Sequence, residues 1–264
     1  MTTATHDPQV WLPYGPPRRT AGLRLFCFPH AGAGAAAFRD WRGGLGRDID
    51  VLPVQLPGRG TRLGEPPHQD MAALVGDTAR ALRPWLDEAP YAFLGHSMGA
   101  LLAYEMARHL RDTRAPNGPV QLIVSGHRAP HLRWPGYTGD TVSEQEAAGM
   151  LRLLEGPGAD EPDLALAVRP VLRADLNLCA RYRHLPRTPL DIPVTALGGT
   201  DDPLVPQRTL TAWSTHTTGP FHSAVLPGGH FYLFELQHVV CGILQSRLRP
   251  QAASLRQPTG EDTR

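Results

Sequence analysis

Gly95-His96-Ser97-Met98-Gly99 lies between an apolar run, Tyr91-Ala92-Phe93-Leu94, and a helix-forming run from Ala100 to Leu110. A serine at the apex of such a strand-turn-helix is forced into a strained backbone conformation that pushes its hydroxyl clear of the sheet. Flanking glycines let strand and helix pass closely. The first free N–H groups of the helix point at whatever reacts with Ser97, so negative charge developing on a carbonyl oxygen is stabilised there. That chemistry is acyl transfer through a covalent serine ester. A G-x-S-x-G match alone is only moderately specific; the strand and helix contexts strengthen it.

A serine hydroxyl needs a base, and the base needs an orienting acid. In this architecture the acid and then the histidine follow the serine, each after a later strand. The apolar run Ile192 to Leu197 leads into Gly198-Gly199-Thr200-Asp201-Asp202-Pro203-Leu204-Val205, which offers two acids. Asp202 fits the Gly-x-x-Asp-x-x-Val spacing of serine hydrolases of this build. Asp201 is the alternative, or an Asx-type turn before Pro203. Phe221 to Leu226 reads as the last strand, and Pro227-Gly228-Gly229-His230 follows it. Most of the twelve histidines read as surface residues. For His230, chain order, strand and glycine pair favour the general base.

Leu23 to Phe28 reads as an early strand ending in Pro29-His30-Ala31-Gly32-Ala33-Gly34. An oxyanion hole in this fold combines the N–H after the nucleophile, here Met98, with one from such a loop, for which Ala31 is the candidate. A dinucleotide-binding loop fits poorly. The third glycine is missing at the required spacing, and Val51 to Gly60 has no acid for a ribose.

The elements that must carry these residues alternate as βα units of a parallel sheet. Strands are expected at Leu23 to Phe28, Asp50 to Gln55, Tyr91 to Leu94, Val120 to Ser125, Ile192 to Leu197 and Phe221 to Leu226. Helices are expected at Met71 to Leu86, Ala100 to Leu110, Gln207 to His216 and Phe231 to Leu248. Residues 130–189 are too long for a simple crossover. There Ser143-Glu144-Gln145-Glu146 resembles a capping box opening a helix through Leu154, and Pro162 to Tyr182 has helical apolar spacing. This inserted pair is expected to form a lid above Ser97; a helical hairpin packed away from the site is the bland alternative. Residues 1–17 and 250–264 lack hydrophobic periodicity and are expected to be loose.

Five runs in this order resemble type II thioesterases, which accompany modular polyketide synthases and non-ribosomal peptide synthetases. They are Leu25 to Gly32, Gln55-Leu56-Pro57-Gly58-Arg59, Gly95 to Ala100, Val124-Ser125-Gly126-His127-Arg128-Ala129-Pro130 and Gly228-Gly229-His230-Phe231. The second and fourth separate this group from general lipases and esterases. Gly60 departs from it, since the family often carries an acid there. The resemblance implies an α/β-hydrolase fold with Ser97 as nucleophile, His230 as general base and acid, Asp202 as orienting carboxylate, and Met98 and Ala31 as oxyanion donors. It implies hydrolysis of misprimed or stalled acyl groups from the phosphopantetheine arm of an acyl or peptidyl carrier protein, with no metal or cofactor. An oxygen-ester hydrolase or acyltransferase with the same triad is the second reading. A non-enzymatic binding protein is the third, disfavoured by the complete triad.

Composition agrees with one catalytic domain. A chain of 264 residues can bury a large core, and 41% hydrophobic with 19% charged residues is ordinary for a globular protein. Net charge of +1 argues against general nucleic-acid binding. All 26 basic residues are arginine, alongside 27 prolines, which points to a GC-rich genome more than to a special surface. No run approaches a membrane span and Met1 to Pro8 has no signal-peptide core, so a cytoplasmic location is expected. Cys27, Cys179 and Cys241 match no zinc or redox spacing and read as buried small hydrophobes. His127 and His131 read as loop residues, because Pro130 breaks any helical ligand face between them. Among the arginines of the insertion and its end, Arg152, Arg169, Arg173, Arg181, Arg183 and Arg187, some are expected to meet an acidic carrier surface; ordinary solvated helix charges are the bland alternative.

Overall fold

The computed structural model describes residues 7–132, 141–146, 148–149 and 162–254. Six runs form strands: β1 Leu23–Phe28, β2 Ile49–Pro53, β3 Tyr91–His96, β4 Leu122–Ser125, β5 Val194–Gly199 and β6 Phe221–Leu226. All pairings are parallel and the order is β2-β1-β3-β4-β5-β6. The helices are α1 Pro8–Trp11, α2 Met71–Leu86, α3 Met98–Asp112, α4 Pro162–Arg181, α5 Gln207–Thr211, α6 Tyr232–Glu235 and α7 Gln237–Ser254.

A parallel sheet covered on both faces needs strands apolar on both sides. β1 to β5 are buried throughout. Alternate residues of β1 divide the core. Leu23, Leu25 and Cys27 join Val51, Ala92, Leu94 and the Val240, Leu244 and Leu248 stripe of α7. Phe26 and Phe28 join Phe93, Leu74 and Leu82 of α2, and Leu101 and Leu102 of α3. β6, at the edge, is partly exposed.

β1 has β2 on one side and β3 on the other, so the loops leaving β1 and β3 diverge and open a crevice at the carboxyl edge. Ser97 leaves β3 and Ala31 lies on the loop after β1. Strand order alone therefore brings Ser97 and the candidate donor loop together.

Several expected boundaries are corrected. β2 starts at Ile49 and stops at Pro53, which frees Gln55 to turn away from the ladder. The helix expected over Gln207 to His216 is α5 followed by a 3₁₀ segment, Ala212–His216. The helix expected from Phe231 breaks at Leu236, which separates α6 from α7.

The N-terminal stretch expected to be loose is held from Asp7 onward. Trp11 is fully buried under the Arg62 guanidinium, 4.2 Å from its ring, and its carbonyl accepts from Gln55 N–H at 2.9 Å. Arg18 pairs with Asp50. An aromatic anchor and an ion pair, with no periodicity around them, hold that segment. At the other end α7 runs on through Pro250 to Ser254, and residues 255–264 lie outside the described ones.

Of the expected insertion, the capping box is formed. Ser143 Oγ accepts from Glu146 N–H, and the Glu146 carboxylate accepts from Ser143 N–H and Oγ–H. The remainder of the helix expected through Leu154 falls on residues outside the described ones. α4 realises the second expected helix, and its Asp175 reaches Gly32 on the loop after β1.

Candidate active site

Ser97 sits at φ 54°, ψ −122°, one of two non-glycine residues with positive φ among the described ones. Such a conformation costs on the order of 1–3 kcal/mol and persists only where its surroundings fix it. They do: Ser97 N–H donates to Ser125 O at 2.8 Å and its carbonyl accepts from Ala100 N–H at 2.9 Å. A Cβ on Gly95 would meet Gly99 O at 2.0 Å, and one on Gly99 would meet Phe28 O at 2.1 Å. Only glycine fits either position, Gly95 where α3 crosses β3 and Gly99 where it passes the end of β1. Met98 opens α3, so its N–H has no carbonyl one turn back. Ala31, nearly buried, follows the carboxyl end of β1.

His230 and Asp202 meet where β5 and β6 end. His230 Nδ1 lies 2.8 Å from Asp202 Oδ2, and both side chains are buried. The other carboxylate oxygen accepts from Leu204 N–H at 2.8 Å and Val205 N–H at 3.2 Å. Both oxygens of Asp202 are thus engaged, one by the ring and one by the turn that Pro203 opens. Asp201 is exposed, accepts from Thr200 Oγ and does not reach His230. His230 Nε2 is buried and makes no hydrogen bond among the described residues. The Ser97 hydroxyl is therefore not bonded to it in this state, as often holds for catalytic contacts before substrate arrives.

Three further histidines crowd His230. The His96 ring is 5.0 Å from it, with Nδ1 on Ser125 Oγ at 3.0 Å, and Ser125 Oγ lies 2.5 Å from Tyr232 Oη. His30 packs against Phe231 and His96. Buried His127 has Nδ1 2.6 Å from Arg128 O and accepts from the Trp213 indole through its own carbonyl. Desolvation drives His96 well below the usual imidazole range, and His30 and His127 down to about 4. At neutral pH these three rings are uncharged, and Asp202 is the acid whose side chain His230 touches.

His96, Ser125, Tyr232, Arg59 and Asp175 were not assigned roles from sequence. The first two lie inside the motifs quoted above, as does Arg59. Tyr232 and Asp175 carry no sequence signal of their own. His127 and His131 do lie on a loop, yet both are engaged, His131 with His216 at 2.7 Å. Among the described residues no group of three or more His, Cys, Asp or Glu is arranged to hold a metal ion.

A thioesterase domain model matches residues 23–248. The chain belongs to the thioesterase family. The RedJ thioesterase from the prodiginine pathway of Streptomyces coelicolor is similar at 41% identity and TM-score 0.80, covering 91% of this chain and 93% of that one. The type II thioesterase BorB from the borrelidin cluster is 37% identical with TM-score 0.80, covering 89% and 96%. Linear gramicidin dehydrogenase LgrE of Brevibacillus parabrevis is 36% identical over 259 residues, 96% of this chain and 98% of that protein. The Pro29 to Gly34 loop of this chain lacks the dinucleotide fingerprint. The fold is that of the α/β-hydrolases, and the activity is thioester hydrolysis of the type II kind. Among the described residues no helix is long and apolar enough to cross a membrane.

Proposed function

We propose that this thioesterase clears misprimed or stalled acyl groups from the phosphopantetheine arm of carrier proteins in polyketide or non-ribosomal peptide assembly, working in the cytoplasm. Ser97 is the nucleophile, His230 the base and acid, and Asp202 the orienting carboxylate. The observation that supports this most is the 2.8 Å contact between His230 Nδ1 and buried Asp202, at the strand ends beside the strained Ser97 turn.

In this reading Asp202 keeps the Nδ1–H tautomer, so Nε2 is the free base. It takes the Ser97 proton as Oγ attacks the thioester carbonyl. The N–H groups of Met98 and Ala31 hold the oxyanion; a donor of this kind contributes roughly 10²–10³ in rate. The thiol leaves with the proton from His230. Water then gives its proton to His230, attacks the acyl-serine and releases the acid, and the proton returns to Ser97.

α4 and the capped turn from Ser143 to Glu146 form the lid in this reading. Beside α4 runs a groove of about 740 Å³ lined by Arg169, Arg173, Arg181, Asn177, Gln69 and Glu144, and we assign the acidic carrier to that face. The test is release of acyl groups from loaded carrier proteins, beside matched oxygen esters with and without an alcohol or amine acceptor. Faster release from the carrier thioester, with water as acceptor, is expected. Ser97→Ala should fold, lose turnover by on the order of 10⁶-fold and lose labelling by serine-directed phosphonates. Near wild-type turnover in that variant would remove the nucleophile assignment; preferred transfer to an acceptor would make the protein an acyltransferase.

A further inference from the structure

The run Gln55-Leu56-Pro57-Gly58-Arg59 has no part in the triad, yet its polar groups converge on the loop after β1. Gln55 Oε1 accepts from Ala35 N–H at 3.0 Å, and Nε2 donates to Arg59 O at 2.7 Å. Arg59 folds back on its own turn, with Nε donating to Pro57 O at 3.1 Å. Its two terminal nitrogens grip Asp175 of α4 at 2.5 and 2.9 Å, and Nη1 also lies 3.4 Å from Ala33 O. Asp175 Oδ2 accepts in turn from Gly32 N–H at 2.8 Å. Residues 32, 33 and 35 are each held, and Ala31 immediately precedes the first. Gly60, the departure from the family pattern, belongs to the same turn: its φ is 52°, and a Cβ there would sit 3.0 Å from the Gln55 amide.

The Arg59 and Asp175 side chains are 6% and 3% exposed. A buried ion pair is a poor source of stability compared with apolar packing, because desolvation offsets its attraction. Its forked geometry does fix direction, and removing one partner leaves the other charged and unmatched. Here the fork joins three chain segments: the turn after β2, the loop after β1, and the inserted helix.

We infer that Arg59 and Asp175 are positioning residues for the oxyanion hole, tying α4 to the loop of Ala31 so that the Ala31 N–H is aimed while α4 is seated. Seating of the inserted helix and assembly of the hole become one event. The inference rests on the assignment of Ala31 and Ser97 made under the proposed function.

The test uses the full chain, with active sites titrated to completion by a serine-directed phosphonate. The readouts are kcat/KM on p-nitrophenyl butyrate and the affinity of a trifluoromethyl ketone, whose hemiketal oxyanion occupies the hole. Asp175→Asn sets an amide donor against Gly32 N–H or Arg59, both donors. It should lower kcat/KM per titrated site by about 10- to 100-fold, short of the roughly 10²–10³ for a donor removed outright, and weaken the ketone by the same factor. Arg59→Lys keeps a cation beside Asp175 and leaves the Gly32 bond intact, so its loss should be several-fold and smaller. Lost turnover accounted for by fewer titratable sites, with ketone affinity unchanged, would overturn the inference in favour of a purely structural pair. If Asp175→Asn does not fold, Arg59→Lys decides alone: several-fold weaker ketone binding supports the inference, and wild-type binding overturns it. A wild-type protein that the phosphonate does not label would remove the proposed function itself, before any variant is compared.

Discussion

At the scale of single residues, the site depends on which carboxylate the imidazole meets. Asp202 has one oxygen on His230 and the other on two backbone N–H groups, so neither is free to rotate away. Asp202→Asn should leave this geometry nearly intact but favour the wrong imidazole tautomer, lowering kcat by about 10⁴. Asp201→Asn removes only an exposed contact to Thr200 and should cost less than about tenfold in kcat; the reverse ranking would transfer the role to Asp201. Ser97, Asp202 and His230 are legible in the sequence because each follows a strand end and is marked by glycines or a proline that the turn requires. Asp175 is not legible. It is one acid on an apolar-periodic helix, and its partner Arg59 lies 116 residues away. Tyr232 is hidden for the same reason, since its partner Ser125 is 107 residues distant.

At the scale of elements, periodicity finds the helices and strands whose whole length is packed, such as α2 and β1, and misses what a single side chain decides. α1 is four residues long, opened by the Asp7 cap and Pro8 and anchored by buried Trp11, and is too short for periodicity to reveal. The inserted segment is tied to the body in a similar way. His131 and His184, toward the two ends of residues 130–189, both pack on His216 of the Ala212–His216 segment. Tyr104 of α3 completes the cluster with its hydroxyl on His216 Nδ1 at 2.9 Å, and His131 occupies Nε2. The charged groups facing this cluster are Arg108 and, beside His184, Glu105. Desolvation, with the neighbouring His184, His131 and Arg108, pushes His216 down to about 4. A histidine depressed in the folded state contributes stability that is full above its unfolded value of about 6.5 and is lost as pH falls toward 4. The melting temperature should therefore decline across that window. His216→Gln should flatten the decline by on the order of 1 kcal/mol after solvent screening, or a few degrees. Thermal melts at pH 7, 5.5 and 4 check this; an unchanged slope in the variant would place the acid sensitivity elsewhere.

At the scale of the whole molecule, a net charge near zero hides an uneven distribution of cations. Arg187 is paired with Asp112, and Arg183 donates to the Ala180 and Tyr182 carbonyls. Arg152 falls outside the described residues. Arg169, Arg173 and Arg181, all exposed, are the three that line the groove beside α4. Arg173 is shared with Glu144, and Arg181 is 3.5 Å from Gln69 Oε1. Sequence could supply the six arginines but not which of them share one groove, which depends on how α4 packs in the fold. Exposed charges of this kind speed an encounter more than they tighten a complex, and they are screened as the Debye length falls from about 10 Å at 0.1 M salt to about 3 Å at 1 M. Hydrolysis of a carrier-bound acyl group should accordingly lose kcat/KM by roughly tenfold or more over that range, at the lower end of what electrostatic steering contributes to on-rates. A short acyl thioester of a small neutral thiol should change little, since it needs only the site around Ser97. Changing Arg169 and Arg173 to Gln should reduce the salt dependence of the carrier substrate while leaving the small thioester untouched. Equal salt sensitivity for both substrates, or no effect of the double substitution, would move carrier docking off this face.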